Sequence, residues 1–375
     1  MGEMKPLGEL CQITLGQSPA SSSYNQDGEG LPFFQGNADF GIDHPVARIW
    51  CTEPRKIAQP NDLLVSVRAP IGAVNVADCE CCIGRGVASI RPKDSSLNPD
   101  YLRQCLNAMS DKLASLGTGS TFTAVGKTVL NAFEVPVYPI EEQKHIAQQF
   151  ALLLQLKRVA EQMLAKADEL IQSCFVEMFL DGVALPKKTI GELATDIRYG
   201  TSKKASDQGE CTYLRMNNMT DDGHLDFSDV KYISLKDSEL EKCMVSKGDV
   251  LFNRTNSREK VGKTAVFREE EPMVIAGYII RVRLGLEMQG EYLSSFMNLQ
   301  STKKMLRSIA KGAVHQANIN SKELAAVEVP VPSLALQNEF AKFVMQVESL
   351  KATTRQQLDR LNTLYDSLAQ RYFAE

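Results

Sequence analysis

The sequence predicts an α+β fold: two duplicated mixed α/β domains joined by two long helices that form an antiparallel coiled coil. Three observations carry this. The 375-residue chain repeats itself. Each repeat opens on short strand-like runs and closes on a long helical run. The two helical runs share one heptad pattern.

The repeat is read directly. KPLGELCQITLG (5–16) matches KTIGELATDIRYG (188–200), and NDLLVSVRAPIGAV (61–74) matches GDVLFNRTNSREKVGKTAV (248–266), with an insertion in the second copy. NPDYLRQCLN (98–107) matches QGEYLSSFMN (289–298), and LNAFEVPVYPIEEQ (130–143) matches LAAVEVPVPSLALQ (324–337). Glu134, Pro136 and Gln143 recur 194 positions later as Glu328, Pro330 and Gln337. This is one long doubling, unlike arrays whose units are about 20–50 residues.

Within each copy the elements follow in the same order. DLLVSVR and VASIRP in the first, and DVLFNR and YIIRVRL in the second, are rich in Val and Ile with partial alternation, which predicts strands. A short helix is expected near 99–114 and near 291–307. A loop (GTGSTFTAVGK; KGAVHQANIN) then leads to a last strand, FEVPV or VEVPV, and the long helix follows.

In the first long helix Phe150, Leu153, Lys157, Ala160, Leu164, Ala167, Ile171, Cys174 and Met178 step by three and four. In the second, Val344, Val347, Lys351, Thr354, Leu358, Leu361, Tyr365, Leu368 and Tyr372 step identically. Such alternation places one apolar stripe on one face. Each stripe could pack on its own domain, but so narrow a stripe on so long a helix favours a partner helix. The first helix feeds the second domain through DGVALPKK, with Pro186 beyond its end. A second helix packing along it must therefore run back. Two similar heads would then sit at opposite ends of a rod, about 50 Å apart for roughly 35 helical residues.

Composition excludes several classes. There are 42 Lys+Arg against 46 Asp+Glu, a net charge of -4, which argues against non-specific coating of nucleic acid but leaves room for a local basic cleft. Hydrophobic residues at 43% and charged ones at 23% describe an ordinary globular protein. No run of about 18 apolar residues could span a membrane. The N-terminus has no secretory pattern, and Pro6 stands where a myristoylation site needs Ser or Thr. The nine cysteines (11, 51, 79, 81, 82, 105, 174, 211, 243) are odd in number and irregular, fitting a reducing cytoplasm. Cys79 and Cys82 have C-x-x-C spacing, but no second ligand pair is evident among them and the four His, so a metal site is not expected.

Catalytic signatures fail on inspection. VGKT occurs at 125–128 and 261–264, yet the earlier glycine of a phosphate loop is replaced by Thr121 and Ser257. NPDY (98–101) and its repeat QGEY read as helix N-termini with an acidic residue in the first turn. H-E-x-x-H and G-x-S-x-G are absent. No catalytic residues, no cofactor and no metal are expected for this chain.

The copies differ where they are polar. The first carries Gln17, Ser21, Ser22, Tyr24, Asn25, Gln35, Asn37, Arg68 and Arg85, followed by Thr118, Ser120, Thr121 and Lys127 in the late loop. The second carries Thr201, Ser202, Lys203, Lys204, Arg215, Asn217, Asn218, Arg254, Asn256, Arg258, Lys260 and Lys263, followed by Lys311, His315, Gln316 and Asn318. Any one of them could be plain solvated loop. As a set they suit DNA: Arg, Asn, Gln, Ser and Thr read base edges, and Lys and Arg hold phosphates. Arg254 to Lys263, in the copy-specific insertion, is the strongest candidate segment.

On these features the chain resembles type I restriction–modification DNA specificity subunits over nearly its whole length. The KPLGEL and KTIGEL openings, GDVLFNR with VGKTAV, FEVPVYPIEEQKHIAQQF and the doubled heptads carry the resemblance. It implies a first target recognition domain at 1–140, a first spacer helix at 141–181, a second recognition domain at 186–334 and a second spacer helix at 335–374. Each domain would read half of an asymmetric bipartite site in double-stranded DNA, and the rod would match about 15 base pairs. The resemblance further implies no catalysis by the chain itself. Two adenine-methyltransferase subunits using S-adenosylmethionine would bind it, and through them two restriction/translocase subunits, all in the cytoplasm. The second junction, SLALQNEF, lacks the Glu141–Glu142 pair of the first, which would weaken or alter one partner surface. The rivals are a coiled-coil scaffold joining two protein-binding domains, and a nuclease or methyltransferase in its own right.

Overall fold

Phe373, two residues from the end of the chain, is buried in the same core as Leu7, Tyr101 and Phe150. The computed structural model describes residues 2–118, 123–182, 184–313 and 316–374. One unit comprises residues 1–160 and 357–375, the other 161–356.

In the first unit an antiparallel sheet runs in the order Cys11–Leu15, Val87–Pro92, Leu63–Ser66, Val74–Val76. Leu63–Ser66 is buried at every position because both of its faces are covered. Leu63 and Val65 face the main core, while Leu64 faces a second core with Phe34 and Ile83, as strand alternation requires. A second sheet holds one parallel pair, Leu31–Phe34 with Cys81–Ile83. The cysteine-rich run is thus partly a strand, and burial pushes the Cys81 thiol up to about 12. Glu3–Pro6 pairs antiparallel with Glu134–Val137.

The second unit repeats this plan. Its antiparallel sheet is ordered Ala194–Tyr199, Ile279–Leu284, Val250–Asn253, Thr264–Val266. Val250 and Phe252 face one core and Leu251 another. The parallel pair is Cys211–Leu214 with Met273–Ile275, and Lys187–Thr189 pairs with Glu328–Pro330.

The residues shared by the repeats are explained by what they hold. Gln143 and Gln337 are fully buried. The Gln143 amide accepts from Asn98 N and donates to the Ser96 and Tyr138 carbonyls. Gln337 accepts from Gln289 N and donates to the Glu287 and Pro332 carbonyls. Tyr101 donates to the Pro136 carbonyl at 2.7 Å and Tyr292 to the Pro330 carbonyl at 2.8 Å. The tyrosines of NPDY and QGEY are therefore core residues, and Asn98 caps the helix Pro99–Ala108. Asp62 and Asp249 are nearly buried and pair with Arg91 and Arg283 on the neighbouring strand.

One expectation is corrected. Each copy holds two short helices where one was expected: Pro99–Ala108 with Ser110–Ser115, and Gly290–Asn298 with Gln300–Ile309. In the second copy Leu299 is extended (ψ 144) and buried, so the chain turns there to seat its side chain.

Two helices, Ile140–Phe179 and Leu334–Phe373, are each 40 residues long. The heptad positions are their buried or half-buried face throughout. In the first unit the start of the first long helix meets the end of the second: Phe150 lies edge-on to Tyr365 at 5.2 Å, and Tyr138 donates to the Tyr372 carbonyl. In the second unit the end of the first meets the start of the second, with Phe175 and Phe179 against Phe340. The pairing within each unit is antiparallel. The two seam lysines are treated differently. Lys157 sits over the Tyr365 ring, whereas Lys351 is buried and paired with Asp168 and Glu348.

Candidate nucleic-acid interface

A set of backbone hydrogen bonds gathers the polar loops of each unit. In the first, Gly16 N donates to Val87 O, Gln17 N to Ile83 O, Gly84 N to Phe34 O, Gly86 N to Gln35 O, Val67 N to Gly86 O and Val125 N to Val67 O. Gln17, Gln35, Arg68 and Arg85 therefore lie on segments joined at one place, and Arg68 bridges Ala124 in the late loop. In the second, Gly200 N donates to Ile279 O, Thr201 N to Ile275 O, Ala276 N to Leu214 O, Arg254 N to Tyr278 O and Ile319 N to Arg254 O. Thr201, Arg215, Arg254 and Asn318 are brought together in the same manner. Gly72 and Gly262 also correspond: both have positive φ, 95° and 86°, and their N–H groups donate to Ser66 O and Asn253 O.

On this shared frame the side chains diverge. In the first unit Gln17, Ser21, Ser22, Gln35, Arg68, Arg85, Thr118 and Lys127 are exposed, and Asn37 is half-buried. Tyr24 is half-buried against Phe33 and donates to the Pro19 carbonyl. The Asn25 side chain closes its own turn at Asp27 and Glu29. In the second unit Ser202, Lys204, Asn217, Arg258, Lys260 and Gln316 are exposed. Ser120, Thr121 and His315 lie outside the described residues.

Several expected contact residues are engaged by the protein itself. Asn218 is buried, and its amide holds Arg215 N and the Asp226 and Asp229 carbonyls. Arg215 pairs with Asp229, and Lys203 with Glu239. Lys311 pairs with Glu323, and the Thr201 hydroxyl accepts from Lys203 N. Asn256 bonds Asn253 and Ser257 N. Arg254 stacks over Tyr199 at 4.7 Å and donates to Asn318 Oδ1. Lys263 donates to the Met219 carbonyl and pairs with Asp221 at 2.8 Å. These groups shape the surface, and Arg258, Lys260 and Lys204 are exposed cations on it.

The insertion is braced from beneath. Lys303, nearly buried on Gln300–Ile309, donates to the Gly262 carbonyl, and Arg307 donates to the Glu259 carbonyl. Burial, with Arg307 and Lys263 adding to it, pushes the Lys303 amine down to about 7. Sequence reasoning missed Lys303, and it missed Tyr278, which is 53% exposed at the node bonded to Arg254. No signal marked Tyr278, because YIIRVRL reads as strand.

The first long helix has a second feature. Leu152, Leu156, Val159, Met163 and Leu170 are each at least 44% exposed and recur at heptad spacing, so they form an outward apolar stripe. At the corresponding positions of the second helix stand Gln346, Leu350, Thr353, Gln357 and Leu364. Among the described residues no helix is long and apolar enough to cross a membrane.

Residues 2–162 and 186–363 match a family model described as type I restriction modification DNA specificity domain. The chain is 39% identical over 165 residues to the putative type I restriction enzyme MjaX specificity subunit of Methanocaldococcus jannaschii, covering 43% of this chain and 39% of that one. It is 23% identical over 321 residues to the type I restriction enzyme EcoKI specificity subunit of Escherichia coli K12, covering 78% of this chain and 68% of that one. Among solved structures, the type I restriction-modification S subunit from M. genitalium matches with a TM-score of 0.63 at 16% identity, over 100% of this chain and 96% of that one. That likeness is one of fold.

Proposed function

The chain belongs to the type I restriction modification DNA specificity family, and from that premise we propose that it reads a bipartite double-stranded DNA target, one half with each unit. The observation that carries this reading is the duplicated backbone node with unlike side chains. Val67 in one unit and Arg254 in the other make the same backbone bonds, and the carbonyls of Gly86 and Tyr278 accept from them in the same way. One frame bearing two sets of polar groups is what two different base sequences require. Arg68, Arg85 and Lys127 would hold phosphate for the first half, and Lys204, Arg258 and Lys260 for the second. The chain would be non-catalytic. The long helices would set the spacer and dock two adenine-methyltransferase subunits, whose S-adenosylmethionine supplies the methyl group, and restriction/translocase subunits would join through them. The outward stripe from Leu152 to Leu170 supports the docking role.

The test is a salt titration of duplex binding by the chain with its methyltransferase. If all six cations touch phosphate, log affinity falls against log salt with a slope of about -5. Base changes confined to one half-site should respond only to variants of one unit. Salt-independent binding, or no DNA binding, would favour a protein-only scaffold.

A further inference from the structure

The turn after one 3-10 helix, Asn37–Asp39 in the first unit and Met216–Asn218 in the second, is built alike in both units, and in both it is tied to a long helix. In the first, Gly41 N donates to His44 O, Phe40 bridges Pro45, and Asp43 ion-pairs with Arg103 and with Arg158 of the first long helix. In the second, Thr220 N donates to His224 O and Met219 bridges Leu225. Here the tie is a histidine. His224 Nε2 lies 2.8 Å from Glu348 of the second long helix, and Nδ1 lies 3.1 Å from Asp222, an ion-pair contact without hydrogen-bond alignment. Its counterpart His44 is exposed.

The charges around His224 are few and definite. Asp222 comes from its own turn, Glu348 and Lys351 from the second long helix, and Asp168 from the first. Arg268 and Glu291, paired with each other, line the same cavity. Burial and Lys351 oppose a charged imidazole, but Asp222 and Glu348 outweigh them and hold its pKa above the ordinary value. The turn in turn carries the reading surface. Lys263, at the end of the insertion, donates to the Met219 carbonyl and pairs with Asp221. Gly223 has φ +87, and an added Cβ would meet Asn298 at 2.4 Å and the Thr264 carbonyl at 2.8 Å, so the turn has one seating.

We propose that His224 is a positioning residue for the second half-site: as imidazolium it fastens the turn Thr220–Leu225 to Glu348, and its deprotonation frees that turn and the insertion resting on it. The first unit has no such dependence, because its tie is Asp43 between two guanidinium groups. The proposal rests on the DNA-reading function above, and its test separates the two.

The full chain, with imidazole nitrogens labelled, is titrated by NMR, with His224→Gln identifying the signal. His224 titrates above the ordinary imidazole value, and Glu348→Gln brings its midpoint down. In parallel, the chain with its methyltransferase selects duplexes from a randomised pool at pH 6.0 and pH 8.5. Preference at one half-site weakens at pH 8.5, as it does for His224→Gln already at pH 6.0. The other half-site holds at both pH values. If His224→Gln does not fold, Glu348→Gln serves in the same selection. Titration of His224 at or below the ordinary imidazole value would overturn the proposal, and so would both half-sites weakening together. Absence of DNA binding at either pH sinks the DNA-reading function instead, and the imidazole titration then decides whether the tie exists.

Discussion

Val67 and Arg254 occupy the same backbone position in the two units. Val67 N–H donates to Gly86 O, and its carbonyl accepts from Val125 N. Arg254 N–H donates to Tyr278 O, and its carbonyl accepts from Ile319 N. One side chain is buried, while the other stacks on Tyr199 and bonds Asn318. The doubled gene thus placed a guanidinium where its sister has an isopropyl group, without changing the backbone around it.

This separates two arginines that look alike in sequence. Arg254→Ala removes a stacked and hydrogen-bonded group, so it should lower the melting temperature and relax base preference at the second half-site. Arg258→Ala removes an exposed charge. It should leave the melting temperature unchanged and lower the salt slope by about 1. Equal thermal effects of the two variants would contradict the assignment.

Gln337→Leu should be among the more damaging isosteric changes. It strands Gln289 N and the Glu287 and Pro332 carbonyls, and each buried orphan costs about 1–3 kcal/mol. Denaturant unfolding should show a loss on the order of 3 kcal/mol, with Gln143→Leu matching it. A loss within experimental scatter for either would show that water replaces the amide.

The outward stripe gives a prediction about assembly. Leu156→Glu on the first long helix interrupts the four-residue apolar run from Leu152 to Met163, beyond which Lys166 precedes Leu170, whereas Leu350→Glu on the second interrupts one already broken by Gln346, Thr353 and Gln357. Co-purification of the methyltransferase should fall steeply for the first variant and mildly for the second. Equal loss would mean the stripe is not the docking surface.

Asp43 sets a pH expectation with a definite sign. The Arg158 hydrogen bond, with Arg103 beside it, outweighs partial burial and holds its carboxyl down to about 2. A carboxyl lowered on folding stabilises above its unfolded value and loses that contribution as pH falls through the folded one. The stability penalty of Asp43→Asn should therefore be equal at pH 6 and pH 8.5 and shrink below about pH 4. A penalty that changes between pH 6 and 8.5 would place another titrating group at this tie.

Much of the architecture was legible because its signals are local or repeated. The seam residues Phe150 to Met178 and Val344 to Tyr372 announce their face by spacing alone. Gln143 and Gln337, and Tyr101 and Tyr292, stood out because the doubling kept them, although only the structure shows the carbonyls they hold. The candidate interface was legible in part. Exposed Arg258 and Lys260 could be read from composition, but Asn218 and Lys263 could not be told from free polar groups, because Asn218 bonds backbone groups of its own loop and Lys263 bonds Met219 and Asp221 some forty residues away. His224 with Glu348 and Lys351 was invisible for the same reason. The stripe from Leu152 to Leu170 was overlooked because a heptad search follows its strongest seam and stops.

The burial of Phe373 in the first unit bears on how the protein is made. Residues near the N-terminus emerge from the ribosome long before the last turn of the second long helix exists, so the nascent first unit waits with Phe150 and Ile146 uncovered until Phe373 has been made. Emergence of Phe373 is then the moment at which that unit can close, and a chaperone that shelters apolar surface would be needed longest by the unit whose translation begins first.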